Sequence, residues 1–376
     1  MLSRALLVVS AGAIAVTGAA LVGGCPPSTE PAPDVDRLAV VAHVGAEIME
    51  PAFADLADKA DVLEAQTAAL CDGGADADKL QSAQDAWKAA RKAWKTVEGY
   101  RVGPMDELRN FNSIDFWPRR QDALDGYLAG TDAPTEDSVR LGGVAGRGFP
   151  VIEYILWHAE DDLMGNLAYL GEGIHCAWAV AAAADLSTTL TTLHNAWSPD
   201  DGDFVGTLAT SGQSPDSFDS AQTALDLIVN DLIGHVEGMK GIKLNKPLGD
   251  RDGAEPDPCD SESYLAHHGL DDLRANLDGF RRAYIGSVDG EPHANSLHQA
   301  VADLSDDALA DDILAKVDEA EAALSTLPPP LFDRFTDAPD DVRAVRDVLG
   351  ELHVLLAVDA AGRLGVTLTF NDNDGD

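Results

Sequence analysis

Apolar residues recur at a spacing of three to four along nearly the whole chain, which is the signature of one buried face per helix. The pattern predicts helices near 36–70, 77–101, 119–129, 150–160, 174–197, 217–240, 270–285, 307–326 and 339–358, separated by clusters of glycine, proline, aspartate and serine. No stretch alternates apolar and polar residues as a half-buried strand would. Alanine is abundant inside the periodic segments and aromatics make up only 6% of the chain. That composition suits closely packed helices better than a sheet, so an all-α fold is expected. The loop Ser198-Pro199-Asp200-Asp201-Gly202 is the natural boundary between an N-terminal helical bundle over 36–198 and a C-terminal one over 199–376. No sequence repeat relates the two halves.

The first segment follows a different logic. Arg4 gives a positive start, residues 5–21 are apolar and small, and Val22-Gly23-Gly24-Cys25 closes the run with small residues before a cysteine. This reads as an exported leader over 1–24, too short and too interrupted to span a bilayer. Cys25 stands where a lipoprotein leader places its acylated cysteine, so a membrane partner is expected through a lipid at Cys25. The proline-rich stretch that follows, within 25–35, reads as a tether. An aspartate after the acylated cysteine is the usual mark for inner-membrane retention; Pro26 stands there instead, so the expected location is the outer membrane, facing the periplasm. Removing 24 of 376 residues leaves 352, enough for a large core, and no later run is apolar enough to cross a membrane.

Charge narrows the function further. With 65 acidic and 26 basic residues the chain carries −39, and losing the leader removes only Arg4. Phosphate backbones would be repelled, which argues against nucleic-acid binding. After Cys25 three cysteines remain, without the paired spacing of a zinc knuckle. Export permits a disulfide, and Cys71 with Cys176 is the expected pair, since both flank predicted helices of the first half while Cys259 lies in a loop.

Two segments carry candidate chemistry. On the helix over 77–101, Trp87, Arg91, Trp94, Glu98 and Arg101 fall on one face and Ala86, Ala90, Ala93 and Val97 on another. Lys88, Arg91, Lys92, Lys95 and Arg101 concentrate positive charge there. One reading is a helix whose cations pair with acidic surroundings; the other is that Glu98 and Arg101 enter a binding site as a preorganised charge array. In the second segment, Gly146 to His158, flexible glycines lead into a helix with Pro150 in its first turn, a position where proline's missing N–H has no partner to lose. Glu153 then sits where the helix dipole stabilises a carboxylate. The acidic end 371–376 lacks the distal glutamate of a calcium loop, and His267, His268, His293 and His298 lack carboxylates spaced on a shared face.

Together, Glu98-Gly99-Tyr100-Arg101-Val102-Gly103-Pro104, Ser113-Ile114-Asp115-Phe116-Trp117-Pro118, Gly148-Phe149-Pro150-Val151-Ile152-Glu153-Tyr154-Ile155-Leu156-Trp157 and Leu270-Asp271-Asp272-Leu273-Arg274-Ala275-Asn276-Leu277-Asp278-Gly279 resemble the imelysin-like family in composition and order. The resemblance implies two helical bundles with a cleft between them, lined by Glu98, Arg101, Asp115, Trp117, Gly148 and Glu153. It also implies a Gly-x-His-x-x-Glu motif whose histidine and glutamate look like metal ligands. Here Gly148 and Glu153 are present and Pro150 stands in the histidine's place; proline has no donor atom. Glu153 is therefore the one motif residue left to bind iron, zinc or another divalent metal, and neighbouring carboxylates would have to supply the rest. His158 lies roughly 140° further round the helix, a poor substitute. Family members are described as peptidases or as proteins linked to iron acquisition. The chain has no His-Glu-x-x-His pair and no nucleophile elbow. The expectation is an exported lipoprotein that binds without catalysis in an iron- or metal-acquisition setting. The alternatives are a metal-dependent peptidase and a degenerate member kept as a scaffold.

Overall fold

Side-chain capping starts several of the helices that the periodicity predicts. In the computed structural model, which describes residues 35–305 and 307–369, Asp36 accepts from the Ala39 N–H and opens α1 (Arg37–His43). A π-helical stretch, Val44–Met49, carries α1 without a break into α2 (Glu50–Cys71), so 36–70 forms a continuous helical run. Asp76 caps α3 (Ala77–Val97) in the same way, through the Lys79 N–H. The alanine face of α3 does what its small side chains allow: Ala83, Ala86, Ala90 and Ala93 are buried, and α3 packs closely on α2 and α13.

Short helices follow: α4 (Pro104–Glu107), α5 (Phe111–Ile114), α6 (Gln121–Leu128), α7 (Glu136–Gly142), α8 (Phe149–Leu156) and α9 (Leu163–Leu170). The long α10 (His175–Trp197) then returns along α2. Cys71 at the end of α2 and Cys176 at the start of α10 form a disulfide with Cα atoms 5.7 Å apart, while Cys259 is free and exposed. The second half holds α11 (Phe204–Ala209), α12 (Ala221–Gly238), α13 (Gly269–Ile285), α14 (Leu297–Leu304), α15 (Asp307–Thr326), α16 (Leu331–Asp337), α17 (Pro339–Val354) and α18 (Ala361–Leu364). Two further π-helical stretches, Met239–Asn245 and Leu355–Ala360, extend α12 and α17.

Among the described residues there is no strand, in keeping with the all-α reading. The described residues belong to one compact unit, and the sequence halves meet directly, with α1 on α11 and α12 and α3 on α13. The α3–α13 contact is close because of Gly279, where a Cβ would collide with the Thr96 carbonyl oxygen. The Tyr100 hydroxyl donates to the Gly279 carbonyl at 2.6 Å and ties the end of α3 to the same crossing. No single helix among the described residues is long and apolar enough to cross a membrane. The leader, Cys25, nearly all of the tether and the acidic end 371–376 lie outside the described residues.

Candidate functional site

The α3–α13 crossing places charged side chains in the interior. Trp87, Arg91, Trp94 and Lys95 project from the last turns of α3 and are essentially solvent-free. The Trp87 indole N–H donates to the Phe149 carbonyl at 3.1 Å and the Trp94 indole N–H to Asp115 Oδ2 at 2.9 Å. Arg91 and Lys95, one turn apart, then meet carboxylates from four other places in the chain.

Arg91 Nη1 lies 2.7 Å from Asp115 Oδ1, and its Nε lies 3.1 Å from both Asp272 Oδ2 and Ser263 Oγ. Lys95 Nζ lies 2.9 Å from Glu98 Oε1, 2.7 Å from Asp115 Oδ2 and 2.8 Å from Glu262 Oε2. Lys243, from the π-helical extension of α12, reaches Glu98 Oε2 at 2.8 Å and Glu262 Oε2 at 2.7 Å. Asn276 Nδ2 donates to Glu98 Oε2 at 2.8 Å, and the Ser263 hydroxyl donates to Asp272 at 2.6 Å. His268 Nδ1 pairs with the other Asp272 oxygen at 2.8 Å. Three cations thus face four carboxylates in one buried network. Ser263 adopts a left-handed backbone with φ of 51°, a strained conformation for a non-glycine residue, in the turn that delivers Glu262 and Ser263 to the network.

The structure brings together only some of the residues singled out from the sequence. Glu98 and Asp115 are central to the network, at 6% and 4% exposure. Gly148 holds φ of 78° and passes so close to the Ile114 carbonyl that a Cβ would collide, which lets the start of α8 press on the segment presenting Asp115. Glu153 is 1% exposed, and its Oε1 accepts from the Ala266 N–H at 3.0 Å, in the loop that also carries Glu262 and Ser263. Trp117 is half-buried; its indole N–H donates to the Asp260 carbonyl at 3.2 Å and its ring packs edge-on to Tyr264. Arg101 does not join them. The helix ends at Val97, so the spacing that put Arg101 on the Glu98 face no longer applies; Arg101 pairs with Asp106 near the surface and stacks over Phe111. Glu98, Asp115 and Glu153 are thus packed into the interior instead of facing open solvent.

Burial and neighbouring charge pull the carboxyls in opposite directions. Burial raises the Asp115 carboxyl, but Arg91 and Lys95 outweigh it and hold it well below the usual carboxylate range. Burial opposes ionisation of Glu98 too, yet Lys243 and Lys95 bring it down to about 2. Asp272 is likewise depressed against its burial, chiefly by Arg91. Burial and nearby Arg91 push Lys95 down, but Asp115, Glu262 and Glu98 prevail and keep its ammonium charged. Glu153 is the exception. Burial dominates, Arg119 and the Ala266 N–H offset little of it, and its carboxyl is pushed up to about 7.

Pro150 occupies the second position of α8 and has no donor, and His158 is exposed and stacked on Tyr169. Among the described residues the one group of three metal-capable side chains is Glu98, Asp115 and Glu262, whose ligand oxygens lie within 4.8 Å of one another. Glu153 is not part of it. Contrary to the expectation from spacing, His268 does have a carboxylate one turn on, Asp272, which engages it; His293 stacks on His43, and His298 pairs with Asp311 at 3.1 Å. The residues of the α8 turn therefore do not fit a His–Glu metal site. Nor do Ser263, Asp272 and His268 form a nucleophilic triad, because the serine donates to the carboxylate and not to the imidazole. Sequence reasoning named Lys95 only as one of several cations on a helix that would pair with acidic surroundings, and missed Lys243, Glu262 and Ser263 altogether. Asp272 and Asn276 did stand in the Leu270–Gly279 block.

Comparison with known proteins agrees with this fold. The sequence model of the imelysin family matches residues 49–357. Iron-regulated protein A of Synechococcus elongatus is 26% identical over 255 residues, covering 67% of this chain and 65% of that protein. An imelysin-like protein from Psychrobacter arcticum has the same fold, with a TM-score of 0.73 at 21% identity over 91% of this chain and all of that one. A putative iron-regulated protein A precursor from Parabacteroides distasonis aligns at a TM-score of 0.76 and 19% identity, over 89% of this chain and 97% of its own.

Proposed function

The chain belongs to the imelysin family, and on that footing we propose that it is a lipid-anchored, non-catalytic binding protein working in iron acquisition. The observation that carries the non-catalytic reading is the α8 turn: Pro150 offers no ligand, and Glu153 is buried, held by a backbone N–H and driven towards its neutral form. Metal-dependent hydrolysis needs a metal with an open position and a general base beside it, and these residues supply neither. The link to iron comes from the similarity to iron-regulated protein A. The envelope location and the membrane partner come from the leader and Cys25, with Pro26 after it pointing to the outer membrane, facing the periplasm.

Three measurements test this reading. Purified mature protein incubated with an unfolded protein substrate is expected to leave it intact with or without chelator; chelator-sensitive cleavage would establish the peptidase alternative. Cys25→Ser is expected to move the protein from the membrane fraction to the soluble one. A deletion strain is expected to grow worse than its parent only when iron is limiting, and equal growth in both conditions would remove the iron assignment. Pro150 also supports a reading as a degenerate scaffold, for which Pro150→His should create metal uptake that the natural chain lacks.

A further inference from the structure

Glu98 comes from the end of α3, Asp115 from the residue after α5, and Glu262 from the loop before α13, yet their oxygens converge within 4.8 Å of one another. Three carboxylates do not stay ionised at such separations in a buried place without a cation between them. The cation is already present. Lys95 Nζ contacts one oxygen of each, at 2.9, 2.7 and 2.8 Å, and its side chain has no exposed surface. An ammonium has three N–H donors, and here it has three carboxylate oxygens at charge-assisted hydrogen-bond distances. Carboxylate oxygens bound to a transition metal would stand at roughly 2.0–2.2 Å from the ion, so the cage is about 0.7 Å too wide for one as it stands.

Charge balance gives the same answer. Glu98, Asp115, Glu262 and Asp272 against Arg91, Lys95 and Lys243 leave one net negative charge in the network. Deleting the Lys95 charge alone leaves two, the deficit that one divalent cation neutralises. We propose that Lys95 is a tethered cation occupying a latent three-carboxylate metal site, and that its ammonium excludes divalent metal from that site in the natural protein. Replacing Lys95 by an apolar side chain of similar length opens the cage to a hard divalent ion, for which carboxylate oxygens are suitable ligands. The inference rests on the cage geometry and not on the binding role proposed above, so either can fail without the other.

The experiment uses the mature chain, Lys95→Met, and the double variant Lys95→Met with Glu262→Gln. Mn2+ is the probe, followed by calorimetry and electron paramagnetic resonance at physiological salt, where loose surface binding to so acidic a protein is screened. Lys95→Met is expected to bind one Mn2+ per chain roughly 100-fold tighter than any wild-type binding, the effect of leaving buried carboxylates without their counter-charge, and the double variant should lose it. Should Lys95→Met be unfolded alone, recovery of its helical circular dichroism on adding Mn2+ supports the proposal and failure to recover overturns it. Equal binding by Lys95→Met and wild type overturns it as well. So does one tightly bound Mn2+ in wild type that Glu262→Gln removes, a result that requires no Lys95 variant to fold.

Discussion

Replacing Glu153 by glutamine isolates the energetic consequence of burying that carboxyl. Glutamine keeps nearly the same volume and keeps an oxygen to accept from the Ala266 N–H, now at 3.0 Å, while removing the titratable group. In the folded chain the carboxyl is pushed from 4.5 up to about 7, and the side chain is fully buried. Below about pH 4.5 the proton is bound in the folded and unfolded states alike, so the group's contribution is fully present. Between about pH 4.5 and 7 the folded protein keeps a proton that the unfolded chain releases, and stability falls with rising pH by up to ~1.4 kcal/mol per unit. Above pH 7 the loss is complete, at about 3 kcal/mol, taking ~1.4 kcal/mol for each unit of the shift. Urea unfolding of wild type and Glu153→Gln at pH 4.5 and pH 8 measures it. The variant should match wild type at pH 4.5 and exceed it by up to about 3 kcal/mol at pH 8, with the same slope against urea. A variant no more stable than wild type at pH 8 would refute the assignment of a neutral buried Glu153.

Asp115→Asn leaves the Arg91 and Lys95 charges short of a partner and should destabilise by about 3–5 kcal/mol in urea unfolding, whereas Arg101→Ala, at a side chain 42% exposed, should change stability by less than about 1 kcal/mol. Gly148→Ala, which forces a Cβ against the Ile114 carbonyl at a φ of 78°, should lose about 2 kcal/mol or more, read as a lower urea midpoint. Cys71→Ser or Cys176→Ser opens a cross-link spanning 105 residues and should lower stability by about 4 kcal/mol, with no further change on adding reductant to the variant. The depressed carboxyls Glu98, Asp115 and Asp272 act in the opposite sense to Glu153: their contribution is present above about pH 4 and lost as pH falls, through about 2 for Glu98 and lower still for the other two. Thermal scans should therefore show stability falling as pH drops from about 4 towards 2, and unchanged stability over that range would count against these assignments.

The long helices were legible because periodicity needs several turns to register, and α2, α3, α10, α12, α13, α15 and α17 have them. α4 and α5 have one turn each, too short to show a face. The helical runs 217–240 and 339–358 pass at their ends into π-helical stretches, and the first starts at Ala221, four residues late, because Ser220 caps α12. Of the residues singled out, Glu98 and Asp115 lie in the buried network with Gly148 and Glu153 packed beside it, while Arg101 lies apart, because a helical wheel carried past Val97 describes a helix that has already ended. Lys95 shows the limit of such reading. On its own helix it is one of several cations with no partner assigned; the partners are Asp115, 20 residues on, and Glu262, far beyond that, and nothing in local spacing relates them.

A Lys95 ammonium seated among Glu98, Asp115 and Glu262 leaves that cage no room for a divalent metal in the natural chain. Anomalous diffraction from a crystal of the mature protein soaked in Mn2+, recorded at the manganese edge, tests it most directly. No anomalous peak is expected among Glu98, Asp115 and Glu262, with density for the Lys95 ammonium lying between them. A peak among those three carboxylates, with Lys95 turned away, would contradict it.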